Sequence, residues 1–234
     1  MFLYSNLLAV SEQTTETVKW ISVGGVIVLL AVIALIGYFS KEQKSSAKEL
    51  AFAGICVALS FTLSVFKVKI FASGGSITFG SLVPIMIYAF VFGPTKGFIV
   101  GVIHGLLNFI ESPYILSAAT FLFDYLLAFI GVGVMGFFGK MRREKRGVLP
   151  VLLGAICVVA VRFCSHLCSG VIFFEEFGPD LAFPTWAIGN GWIYSFIYQC
   201  TYVPVDGAIA IALLTVLCKT GVLDKLISLM QPKK

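Results

Sequence analysis

Long uncharged runs, broken by short charged segments, set the pattern of the chain. The first run, 20–39, is twenty residues without a charge, which is the length that crosses a hydrocarbon core of ~30 Å as a helix. A charged linker follows with Lys41, Lys44 and Lys48. Further apolar runs cover 50–65, 81–92, 96–109, 115–138, 148–174 and 192–217. The third and fourth are short and meet at Gly93-Pro94, so they are expected to form two helices joined by a tight turn. A Gly-rich loop is expected over 66–80, around Ser73-Gly74-Gly75-Ser76. The pattern therefore predicts an all-α integral membrane protein. It has a six-helix bundle preceded by one extra N-terminal transmembrane helix. The division falls into an N-terminal extension with its linker, 1–45, and a six-helix domain, 46–234.

A cleaved signal sequence is the competing reading of 20–39. The polar stretch ahead of it is long and carries Glu12 and Glu16 rather than a basic start, which argues for a retained helix. Charge then sets orientation. With the linker around Lys44 in the cytoplasm, alternation places Lys96, the cluster from Lys140 to Arg146 and the tail lysines Lys219, Lys225, Lys233 and Lys234 on the same side. Thirteen of the seventeen basic residues are then cytoplasmic. The positive-inside rule thus predicts a multi-pass protein of the cell membrane with the N-terminus outside and the C-terminus inside.

Composition adds the solvent. With 59% hydrophobic and 12% charged residues, apolar side chains must cover the outside as well as the core, so that outside faces lipid. The net charge of +5 does not indicate nucleic acid, because the basic residues lie in the segments between spans. The six cysteines all fall in apolar runs without CxxC spacing. They read as packing residues, with no disulfide and no metal site. Four-residue spacing of Gly93, Gly97, Gly101 and Gly105 reads as close internal packing. The pair Gly54 and Ala58 is free to meet another subunit.

Polar side chains inside the spans are few, and a charge there is expensive, roughly 2.5–3.5 kcal/mol on insertion scales. Asp124 sits in the middle of the run 113–129. At ~1.5 Å per helical residue, His104, Asp124, His166 and Gln199, from four different helices, fall at one level about 8–14 Å below the outer surface. Convergence of this kind is what a pocket opening outward requires. Arg162 and Asp206 lie deeper and are expected to pair with each other, leaving Asp124 without a protein cation, so that it is either protonated through burial or awaits a cationic ligand. Tyr114, Tyr125, Phe174, Trp192 and Tyr194 surround the same level, and aromatic faces attract cations and flat rings. The set suits a small, flat, positively charged molecule. The absence of a basic cluster at this level argues against phosphorylated ligands.

Four stretches carry a resemblance: GGSITFGSLVPIMIYAF (74–90), GVIHGLLNFIESPYILSAATFLFDYLLAFIGVG (101–133), RFCSHLCSGVIFF (162–174) and WIYSFIYQCTYVP (192–204). Together they resemble the thiamine-specific S-component of energy-coupling factor transporters, over about residues 48–218. The resemblance implies a substrate-binding membrane subunit without catalysis or cofactor of its own. Such a subunit takes thiamine from outside and associates with a transmembrane coupling subunit and two cytoplasmic ATPases. It implies substrate contacts at Asp124, Tyr125, His166, Gly170, Phe174, Tyr114 and Tyr194, a lid at the Gly-Gly-Ser loop, and docking through Gly54 and Ala58. Gln199 stands where the family has asparagine, and His104 where an aromatic residue is frequent. Two alternatives stay open: a related subunit for another small cationic or aromatic ligand, and a proton-coupled carrier using Asp124 and His166. No HExxH, GxSxG or P-loop points to an enzyme, and any ATP energy has to come from a partner.

Overall fold

The computed structural model describes residues 2–40, 45–71, 74–113, 117–144, 147–177 and 189–230. Every apolar run forms a helix. The leading helix α1 (Phe2–Ser40) and α2 (Ala47–Val65) are separated by the charged linker. α2 starts where the sequence supplies a reciprocal cap: Ser46 Oγ accepts from the Glu49 N–H at 3.3 Å, and the Ser46 N–H donates to Glu49 at 3.2 Å. Glu49 also pairs with Lys96 at the start of α4 (Pro94–Glu111), which fixes two helix ends at one face of the bundle.

The segment expected to be a loop is instead an antiparallel hairpin, β1 (Lys67–Phe71) with β2 (Gly74–Thr78), in register Lys67↔Thr78 and Lys69↔Ser76. The all-α expectation is amended to that extent. The reason is in the residues: Lys-Val-Lys-Ile-Phe alternates polar and apolar with β-branched members, which suits a strand. The hairpin has depth to fill. α3 (Val83–Phe92) is only ten residues, about 15 Å of a ~30 Å core. The chain between α2 and α3 covers the remaining half.

α3 is the centre of the core, with Ile85, Met86 and Ala89 fully buried. Its uniformly apolar sequence follows from being enclosed on all sides. It turns into α4 at Gly93, whose φ of 94° favours glycine, with Pro94 opening the next helix. The glycine stripe of α4 does pack internally. A Cβ at Gly101 would lie 2.3 Å from the Phe129 carbonyl oxygen, and one at Gly105 2.2 Å from that of Tyr125.

The next membrane crossing is a composite rod: α5 (Ala118–Phe121), a π-helical turn (Leu122–Leu127), α6 (Ala128–Ile130), a 3-10 turn (Gly131–Val134) and α7 (Met135–Glu144). Then α8 (Leu149–Phe177) and α9 (Gly191–Lys219) pack along their lengths, and a short α10 (Val222–Met230) ends the described chain. Arg142 closes the end opposite the hairpin, donating to Gly147 O, to Cys218 Sγ at 2.9 Å and to Asp224 Oδ1 at 2.7 Å. All six cysteines are free. Among the described residues, five helical segments are long and apolar enough to cross a membrane, and α3 is a shorter apolar helix.

Candidate binding site

A cavity of about 290 Å³ lies beneath the hairpin, walled by α4, the π turn, α8 and α9. Strand alternation places Lys67, Lys69 and Ser76 on its roof. The α8 wall is a stripe of Arg162, His166, Ser169, Gly170 and Phe173, which share one helix face. α9 contributes Tyr194, Tyr198, Gln199 and Tyr202. Gly170 is required by the crossing of α8 and α9, since a Cβ there would sit 2.3 Å from Ser195 Oγ and 3.0 Å from Gln199 Nε2.

The floor is the expected ion pair. Arg162 donates to Asp206 Oδ2, and the other oxygen of Asp206 accepts from the Thr78 N–H at 2.8 Å and from Thr78 Oγ1 at 2.7 Å. The root of the hairpin is therefore tied to a carboxylate in the middle of α9. At the other strand, Lys67 pairs with Glu111 at the end of α4. Neither Thr78 nor Glu111 stands out in the sequence as a site residue. Their role follows from the hairpin register, in which Lys67 faces Thr78.

Asp124 faces the cavity, but it is not without protein partners, contrary to the expectation. Its Oδ1 lies 2.8 Å from His166 Nδ1, and its Oδ2 accepts from Ser169 Oγ at 2.6 Å. The π turn brings this about: the extra residue in the turn rotates Asp124 toward α8. With Asp124 ionised, the proton of the shared contact sits on Nδ1. The imidazole and the hydroxyl together orient the carboxylate at the cavity wall. His166 Nε2 and Gln199 Oε1 are buried with no hydrogen-bond partner among the described residues, while Gln199 Nε2 donates to His166 O at 3.1 Å.

Tyr125 lines the cavity beside Asp124 and donates to Ser112 O at 2.7 Å. Gly170, Tyr194 and Gln199 also line it. His104 and Phe174 do not. His104 is fully buried behind Phe129, edge-on at 4.9 Å between ring centres; the turn of α4 that reaches the cavity is that of Asn108. Phe174 comes one residue after Phe173 and is turned about 100° from it, so it packs on Tyr194 at 5.2 Å. Trp192 is half exposed and outside the lining. Tyr114 lies outside the described residues, as do most of the loop ahead of α9 and the first half of the Gly-Gly-Ser motif's approach, 72–73. The argument against phosphorylated ligands loses its ground, because Lys67 and Lys69 stand at the cavity roof. Gly54 and Ala58 are exposed on α2, and nothing lies within 4 Å of a Cβ built at Gly54.

The fold is that of a helical membrane protein with a roofed, aromatic-lined cavity around a carboxylate, and sequence comparison gives its class. The family model described as "Thiamine transporter protein (Thia_YuaJ)" matches residues 50–224. The chain belongs to that family: it is a multi-pass membrane transporter protein, not an enzyme. It is 28% identical over 156 residues to "Thiamine transporter ThiT" of Bacillus subtilis (strain 168), a match covering 63% of this chain and 77% of the relative. In fold it is similar to a solved structure of ThiT from Listeria monocytogenes, with a TM-score of 0.65 and 21% identity over 79% of this chain and 97% of that one.

Proposed function

We propose that the chain is the substrate-capture subunit of an ATP-driven importer of the energy-coupling factor type, taking thiamine from outside the cell into the cavity beneath the hairpin. The observation that carries this reading is Asp124, an acid deep in a helical bundle that lines the cavity and is held there by His166 and Ser169. A carboxylate so placed can meet a fixed cation such as the thiazolium ring. Tyr125, Tyr194, Gly170 and Gln199 complete the contacts, with Gln199 Oε1 and His166 Nε2 offered to the polar atoms of the second ring. Tyr114, Phe174 and His104 remain part of the proposal at a lower rank; the last two act from behind the lining. Family membership supports the ligand.

The N-terminus is outside and the C-terminus cytoplasmic in this reading, which places the hairpin outward and Arg142 inward. The extension 1–45 precedes the binding domain 46–234, and the start of the family match at residue 50 supports that boundary. The exposed face of α2 at Gly54 and Ala58 docks the coupling subunit, to which two ATPases attach. The test is calorimetry on the purified full chain: thiamine binds below micromolar concentration, and Asp124→Asn binds at least tenfold more weakly (~1.4 kcal/mol). Equal binding by both removes Asp124 from the site.

The direct contact of Asp124 with His166 favours one second reading, a proton-coupled carrier. Uptake by this chain alone in liposomes, driven by a proton gradient without ATPases, selects it.

A further inference from the structure

We propose that α1 is a brace for the π turn that carries Asp124, and that Gly25 is a positioning residue of the binding site. The π turn needs support because its wide hydrogen bonds are rarely favourable outside functional sites. Phe123 O already accepts from the Ala128 N–H, five residues on, and from Ser165 Oγ of α8 at 2.6 Å. Its far side is covered by α1. Leu122, Phe123 and Leu127 are buried there together with Ile172, against Val18, Ile21 and Leu29. Those three positions and Gly25 share one helix stripe.

At Gly25 the side chains of the π turn lie directly against α1. A Cβ at that position would lie 2.5 Å from Phe123 Cζ and 3.1 Å from Leu122 Cδ2. At Gly24, next along the chain, a Cβ meets nothing within 4 Å. Elsewhere on the described part of α1, Trp20 is 67% and Ile27 61% exposed. A membrane anchor alone requires hydrophobic length, which many sequences supply. Close seating at a single glycine, on the two residues that immediately precede Asp124, specifies a place. α1 lies outside the family match at 50–224, so the brace is an addition to the shared domain.

The ligand arm of the test rests on thiamine capture; the exchange arm does not. Full-length Gly25→Leu and Gly24→Leu are compared for thiamine affinity by calorimetry and for amide hydrogen exchange. We expect Gly25→Leu to bind about tenfold more weakly (about 1.4 kcal/mol). Exchange should rise at Leu122–Leu127 and stay unchanged along α9, with Gly24→Leu like wild type in both. If Gly25→Leu does not fold, Ile21→Ala with Leu29→Ala strips the same contacts without adding bulk and is read in the same way. Exchange and affinity identical to Gly24→Leu overturn the brace and leave α1 as an anchor. A wild type that does not bind thiamine overturns the capture reading, while faster exchange at the π turn still upholds the brace.

Discussion

From Asp206 to the Arg142 end the bundle is solid; from Asp206 to the hairpin end it is hollow. In the solid half, α3 and its neighbours form one continuous apolar core that runs through Val151, Ala155, Leu214 and Met230. Close approach there is backbone on backbone: a Cβ at Gly139 would lie 1.9 Å from Phe90 O. In the hollow half α3 is absent, and a two-stranded hairpin stands in for its upper turns. Polar side chains collect there, and among the described residues both ring nitrogens of His104, His166 Nε2, Gln199 Oε1 and Arg162 Nε are buried without a partner. The difference teaches where binding capacity comes from. Shortening one central helix leaves both the volume and the unpaired groups that a ligand needs, while the other half carries the stability.

The boundary between the halves is the most sensitive place. Arg162→Met leaves Asp206 buried without its cation, and loss of one partner of such a pair costs about 3–5 kcal/mol. The expected outcome is a large fall in the thermal midpoint and loss of ligand binding together, followed by scanning fluorimetry. Next comes the solid half. Gly139→Ala is expected to destabilise by about 1–3 kcal/mol through overpacking, while the folded fraction keeps wild-type affinity; an affinity loss would show that the halves are not independent. In the hollow half the reverse split is expected. Asp124→Asn lowers thiamine affinity at least tenfold, with little change in the unliganded midpoint, since the side chain is half-buried and Asn keeps an acceptor for Ser169 Oγ. The smallest effect on binding is expected for Lys67→Met, which frees one hairpin root: thiamine release accelerates about threefold, roughly 0.7 kcal/mol, in a stopped-flow chase, while the midpoint falls because Glu111 loses its cation, by less than for Arg162→Met.

Helices were legible because lipid imposes long uncharged runs, and their order follows from run length and the Gly93-Pro94 break. The level of the site was legible too, because depth follows from residue count along a helix. Direction was harder. His104 shares the level of Asp124 but points behind Phe129, and Phe174 misses the cavity by one position on α8. Both errors are rotations, and a rotation depends on how helices seat against one another. The π turn compounds this, because one extra residue per turn shifts every direction after Leu122 without leaving a mark in the composition. Ser169 was missed as a partner of Asp124 for that reason, although it lies three residues beyond His166 on the same face. The hairpin was hidden by its glycines, which read as loop, while the alternation of Lys67 to Phe71 was the available signal.

The hairpin is fastened at a single cross-strand pair. Lys67 and Thr78 face each other, and each is gripped by a carboxylate from a different helix, Glu111 and Asp206. Lifting that row would cost Glu111 its cation and Asp206 two donors in a medium that solvates a carboxylate poorly. The roof of the cavity is thus held from two walls at once, by α4 through Lys67 and by α9 through Thr78.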